Sequence, residues 1–316
     1  MVDSLIKSNN NTFFKQRGLK WFLYIVPALL FYTIFMAFPI LNSIKLSFFS
    51  ESVSQGSNFV GFDNYIKLFM HPGTSERYWS AFWNTWLFFG IHMFVQNILG
   101  IIFANFLSDK LLKGSAFFRT IIFLPATLSI LVTGYIWKLI LNPQWGAINL
   151  ILKNMGVEEY AIAWLGDPKI ALIIISLVSS WQWVGMPTMM FLAGLNNISE
   201  DLYEAAEIAG ATDWQVFWLI KLPLLKPVIG IIAILTFVNN FNAFDVVFSM
   251  ANVNGAPQFA TDILGTFFYR TGIAGQHPVG IPDPGLGAAV ATVTFILLAV
   301  GVGYIMGLTR SDKGEA

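Results

Sequence analysis

GLGAAVATVTFILLAVGVGYIMGLT, residues 285–309, runs without a single Asp, Glu, Lys or Arg. As a helix rising about 1.5 Å per residue it is long enough to cross the ~30 Å hydrocarbon core of a bilayer. Five more stretches share that property: 21–44, 85–107, 120–137, 170–195 and 227–244. The two shortest, 120–137 and 227–244, continue into apolar sequence past one charge, Lys138 or Asp245, and such a charge can snorkel or face a cavity. The runs are continuously apolar rather than alternating, which selects helices over a barrel. The sequence thus predicts an all-α membrane protein: one six-helix transmembrane domain over 21–309 between tails at 1–20 and 310–316.

Composition removes several functions. With 56% hydrophobic and 11% charged residues, a water-soluble domain is excluded. The 18 basic and 18 acidic residues balance, which argues against nucleic acid as a partner. There is no cysteine, so disulfides, thiolate nucleophiles and cysteine metal clusters are absent, and His71, His92 and His277 are too widely spaced to form a metal motif. No Gly-x-x-x-x-Gly-Lys-[Ser/Thr] phosphate loop is present, so the chain is not expected to hydrolyse ATP itself or to hold a cofactor.

Basic residues orient the helices. With the N-terminus inside, Lys7, Lys15, Arg17, Lys20, Lys110, Lys113, Arg119, Lys221, Lys226, Arg310 and Lys313 are cytoplasmic, against Lys45, Lys67, Arg77, Lys138, Lys153, Lys169 and Arg270 outside. The positive-inside rule then places both termini in the cytoplasm. The first run is too long for a signal-peptide core and should remain as an anchor. The longer outside loops, near 51–78, 142–169 and 251–284, have room for short interfacial helices but not for a domain. No internal repeat with paired broken helices is visible, as an inverted-repeat secondary transporter would lead one to seek.

Between the fourth and fifth runs, within the loop 199–226, lies EDLYEAAEIAGATDWQVFWLIKLP, residues 200–223. Ser199 is placed to cap a first helix whose opening turn carries Glu200 and Asp201. Gly210 supplies a left-handed stop, Thr212 with Gln215 makes a capping box for a second helix, and Pro223 ends it. The reading is a cytoplasmic helix-turn-helix knuckle. An amphipathic helix on the inner leaflet is the competing account, but residues 200–220 are acidic with no basic residue, and an anionic surface repels them. A protein partner fits better, with Ala205, Ala206 and Ala209 permitting close approach.

The run Glu204-Ala205-Ala206, Gly210-Ala211, Phe217 and Leu222-Pro223 resembles the EAA loop of ABC importer permeases. Ala209 departs from the Asp that often precedes the Gly. The segments 59–65 (FVGFDNY), Asn84-Thr85, Arg119 with Leu124-Pro125, 164–168 (WLGDP) and 287–292 (GAAVAT) are likewise similar to permeases of the maltose-transporter type, so the resemblance covers nearly the whole chain. It implies the type I ABC importer permease fold in a bacterial inner membrane. It also implies that Glu204, Ala205, Ala206, Gly210, Ala211, Leu222 and Pro223 couple to an ATPase. The implied partners are a second permease subunit in a heterodimer, an ATPase dimer carrying ATP and Mg, and an extracytoplasmic solute-binding protein that delivers a sugar.

A substrate path is legible at membrane depth. The fourth run holds WQWVGMPT, residues 181–188, where Pro187 removes a helical hydrogen bond and Gly185 exposes backbone. The fifth holds Thr236, Asn239, Asn240 and Asn242, whose amides need partners in hydrocarbon; helix-to-helix bridging and ligand contact both remain open for them. By resemblance, the positions matching sugar-contacting residues of the maltose permease are Ala126, Val184, Gly185, Thr188, Thr236, Asn239, Asn240 and Ala243. Of these Gly185, Thr188, Thr236, Asn239 and Asn240 keep useful chemistry. Ala126 and Thr188 stand where the family has aromatic residues and Ala243 where it has an amide, so a wider pocket than one for maltose is expected. No basic residue lies in the six runs, which disfavours a glycerol-phosphate permease. An ion-coupled secondary transporter would place carboxylates at membrane depth, and only Asp245 is a candidate.

Overall fold

The computed structural model describes residues 24–52, 56–109 and 112–309. The tails at 1–20 and 310–316, Lys110 and the first residues of the 21–44 run lie outside the described residues. The chain enters as α1 (Tyr24–Leu46), turns through an antiparallel hairpin of β1 (Phe49–Ser52) and β2 (Gly56–Phe59) in which Phe49 faces Phe59, and continues into the short α2 (Asp63–Met70). The long α3 (Thr74–Leu107) follows. It begins well before the uncharged run at 85, because Glu76 and Arg77 ride on its first turn without breaking the helix.

Two of the expected spans are broken rather than straight. α4 (Ser115–Thr127) and α5 (Ile130–Ile140) meet at 96°, and α7 (Ala171–Trp183) and α8 (Gly185–Asn196) at 46°, with the short α6 (Ala147–Asn154) between the pairs. The first break needs a backbone partner at apolar depth, and Gln182 Nε2 on α7 supplies it by donating to Leu128 O at 3.0 Å. The second falls at Val184. Pro187 has no N–H to offer the Trp183 carbonyl one turn back, which weakens the helix there.

Next comes the knuckle, α9 (Glu200–Ile208) and α10 (Asp213–Leu224), and then α11 (Lys226–Phe241), bent 66° from α10. Pro223 does not end α10. A π turn over Phe217–Lys221 absorbs the proline, and the chain breaks at Leu225, between Pro223 and Pro227. The last elements are α12 (Asp245–Ala251), α13 (Leu264–Tyr269) and the straight α14 (Pro284–Thr309). Among the described residues three helices, α1, α3 and α14, are each long and apolar enough to cross a membrane, and the three bent pairs pass the same test as pairs.

α3 organises the interior, contributing to all three apolar clusters. Tyr78 and Ala81 pack with Phe237, Phe267 and Leu286; Phe88 with Ile175, Val247 and Met250; and Ile101 and Ala104 with Phe191, Leu192 and Leu225. Several motif residues act as fasteners around it. Asn84 donates to the carbonyls of Ala260 and Asp262 at 3.1 and 2.8 Å, and Thr85 Oγ1 accepts from Leu264 N at 2.9 Å. Asn64 holds Ser47 O and Phe49 O, each at 2.9 Å, while the Trp164 indole donates to Asn149 Oδ1 at 2.7 Å.

Candidate functional site

A cavity of about 380 Å³ opens among α3, α5, α7, α8, α11 and the start of α12. Phe88, Ile130, Trp183, Met186 and Met190 give it apolar surface. Among them stand the polar residues His92, Gln96 and Asn97 of α3, Ser179 of α7, Thr236, Asn239 and Asn240 of α11, and Asn242 just beyond. Asp245 also lines it, and among the described residues no Lys or Arg does. Apolar and aromatic surface with a few convergent amides and hydroxyls is what a ligand pocket consists of.

Local helix geometry places the polar groups. Asn239 and Asn240 lie on the last turn of α11, where Asn240 Nδ2 donates to Thr236 O at 2.7 Å. Asn97 Nδ2 crosses from α3 to Thr236 Oγ1 at 3.0 Å. His92 is fully engaged: one ring nitrogen lies 2.8 Å from Phe88 O, and only as an N–H can it bond a carbonyl. The other lies 2.9 Å from Ser179 Oγ, so both ring nitrogens are engaged and the ring orientation is fixed.

Of the residues singled out in the sequence, Thr236, Asn239, Asn240 and Ala243 share this lining. Gly185 and Thr188 lie beside it. Gly185 sits against α4, where an added Cβ would come within 2.8 Å of Ile122 O. The buried Thr188 hydroxyl donates to Val184 O at 2.8 Å, back along its own helix. Val184 and Ala126 are also outside the lining, whose α8 members are Met186, Pro187 and Met190. Sequence reasoning missed His92, Gln96, Asn97 and Ser179. The signal was present: they are polar side chains inside uncharged runs, the same criterion that singled out Asn239 and Asn240.

The knuckle forms a second candidate site. Gly210 has φ +71°, and Thr212 and Gln215 close a reciprocal capping box, with Gln215 Oε1 2.8 Å from Thr212 N. Ser199 does not cap α9; no backbone N–H reaches its hydroxyl, which donates to Asp201 Oδ2 at 3.2 Å. Glu204 and Ala205 are exposed, Ala206 is buried, Ala211 and Leu222 are half-buried and Pro223 is exposed. Large apolar side chains stand out beside them: Ile208 is 89% exposed, Trp214 70% and Leu219 72%, more than an isolated soluble surface would carry in one place. Lys221 Nζ donates to Asn105 Oδ1 on α3 at 2.7 Å and lies over the Tyr203 ring.

Comparison with known proteins identifies the family and the fold. The profile of the family described as "Binding-protein-dependent transport system inner membrane component" matches residues 96–310. A probable ABC transporter permease protein of Bacillus subtilis, YurN, is 34% identical, covering 87% of this chain and 91% of its own. The lactose transport system permease protein LacF of Rhizobium radiobacter is 32% identical over 78% and 81%. The trehalose/maltose transport system permease protein MalF of Thermococcus litoralis is 30% identical over 88% and 89%. Among solved structures, a chain of a bacterial ABC transporter involved in import of the acidic polysaccharide alginate superposes with a TM-score of 0.77, covering 95% of this chain and 99% of its own at 23% identity.

Proposed function

The chain belongs to the family of binding-protein-dependent transport system inner membrane components, and on that premise we propose that it forms half of the membrane pore of an importer for a neutral sugar or oligosaccharide. The observation that carries this reading is the cavity wall. Its amides and hydroxyls suit a polyhydroxylated ligand, Trp183 offers a ring face for stacking, and the lack of Lys or Arg disfavours a phosphate ester or other anion. Relatives named for lactose, trehalose/maltose and arabinooligosaccharide transport support the same substrate class.

In this reading the three straight helices and three bent pairs make six spans, both termini face the cytoplasm, and a second permease subunit completes the pore. An ATPase dimer holding ATP and Mg docks on the exposed faces of α9 and α10, around Glu204, Ala205, Ala206, Gly210, Ala211, Leu222 and Pro223. An extracytoplasmic binding protein delivers the sugar to the opposite mouth. The chain then does no chemistry of its own; it converts closure of the ATPases into rotation of the cavity walls.

The test is uptake of labelled lactose, trehalose, maltose and arabinotriose by the complete transporter. Asn240→Leu should abolish uptake of whichever sugar the wild type carries while the complex still assembles. No uptake of any of the four by the wild type would overturn the sugar reading.

A further inference from the structure

Among the described residues, two of the buried side-chain polar atoms without a hydrogen-bond partner belong to residues lining the cavity: Gln96 Oε1 on α3 and Asn240 Oδ1 on α11. The two residues are 7% and 5% exposed. A buried acceptor left unpaired carries its full desolvation penalty, and native folds keep few of them. Elsewhere on this wall the fold satisfies what it can. Asn97 donates to Thr236 Oγ1, Asn240 gives its N–H to Thr236 O, and His92 uses both ring nitrogens. Gln96 and Asn240 are left with capacity to accept, on walls that Asn97 and Thr236 hold together.

Gln96 stacks below Phe88 and His92 at ordinary helical spacing, and the backbone beside it is locally altered to bring Asn97 to the same wall. His92–Gln96 is a π turn closed by the Asn97 N–H on His92 O. On an uninterrupted α-helix, position 97 would stand about 140° around the axis from position 92. The wider turn narrows that spread, so His92, Gln96 and Asn97 all reach one cavity. Such turns are rare inside helices and occur frequently at functional sites.

We propose that Gln96 is a specificity-determining residue of the transport site, accepting a hydroxyl proton of the carbohydrate from the α3 wall while Asn240 accepts another from the α11 wall. The proposal rests on the sugar reading above and extends it to a helix that the sequence did not implicate. A hydroxyl group supplies the donor that both amides lack. A ligand missing that hydroxyl leaves the amide unpaired and is discriminated against.

The experiment uses the complete transporter with Gln96→Leu, and Gln96→Met as the unbranched alternative. It measures transport at saturating concentration of the sugar that the wild type takes up and of its monodeoxy analogues, together with the melting temperature of the sugar-free complex. The wild type should carry one analogue at least about tenfold more slowly than the parent, and the variant should reduce that ratio to about one, with transport of the parent falling. Because an unpaired buried acceptor is removed, the sugar-free variant should melt no lower than the wild type. An unchanged analogue ratio overturns this inference alone. Failure of both variants to assemble, or a lowered melting temperature in both, makes Gln96 a packing residue and also overturns it. Absence of uptake of every sugar by the wild type overturns the proposed function and this inference with it.

Discussion

Arg270 and Asp262 meet in an ion pair from which water is excluded, their side chains 0% and 1% exposed. Arg270 also donates to His277 O at 2.6 Å and Val253 O at 3.2 Å, and Asp262 Oδ1 accepts from Thr266 Oγ1 at 2.7 Å. The Phe259 ring lies 4.2 Å from the Arg77 guanidinium and 5.0 Å from that of Arg270. The loop between α12 and α14 is thus wound around one buried cation. Asp262→Ala should destabilise the protein by about 3–5 kcal/mol, because it strands that cation. A lowered melting temperature and faster proteolysis between residues 252 and 283 are expected. Adding Arg270→Met should recover part of the loss; a single variant as stable as the wild type would show that the pair does not hold the loop.

Gly210 turns the knuckle at φ +71°, and a Cβ there would meet nothing within 4 Å. A substitution is therefore penalised through the backbone and not by a clash. Gly210→Val should cost roughly 1–2 kcal/mol at the turn and misdirect α9, whereas Gly210→Asn should be tolerated, since Asn enters this region readily. Gly210→Val and Glu204→Lys should each lower ATPase co-purification or sugar-stimulated hydrolysis and abolish uptake while membrane insertion persists. Normal values of all three in both variants would remove the knuckle from the coupling mechanism.

Lys221 ties both knuckle helices to α3 through Tyr203 and Asn105. Asn105 lies about 12 Å along the same helix from Asn97 at 1.5 Å per residue. A helix that meets the knuckle near its C-terminal end and lines the cavity near its middle can carry displacement between them. Lys221→Met should raise the ATP hydrolysed per sugar severalfold in proteoliposomes. An unchanged stoichiometry would mean that the motion travels through α11 alone.

Because the chain has no cysteine, single cysteines report topology cleanly. Ser199 and Asn254 are both exposed, and cysteines placed there should react with an impermeant maleimide from opposite sides of the membrane. Labelling of both from outside would rule out six spans with the knuckle in the cytoplasm.

The parts of this structure that the sequence disclosed are those decided by local energetics. Uncharged runs mark helices because transfer of side chains into hydrocarbon is nearly additive along the chain, and the knuckle was legible because a glycine turn and a capping box involve neighbours in sequence. The break between α4 and α5 was not. It depends on Gln182, more than fifty residues away, offering its amide to Leu128 O. Gly185 read as a site of backbone exposure, and only the packing of α8 on α4 shows what occupies that space. Asn97 was hidden differently: helical periodicity stacks His92 and Gln96 on one face but sends Asn97 elsewhere, and only the π turn returns it to them.

The cavity takes its lining from α3 and from members of all three bent pairs, and among the described residues from neither α1 nor α14. A straight helix packed along its length can tilt only as a unit, whereas a jointed one can turn its inner segment while the outer stays anchored. The joints at Leu128, Val184 and Leu225 therefore put a hinge point beside each jointed wall of the pocket. Small rotations at those three points would change its volume.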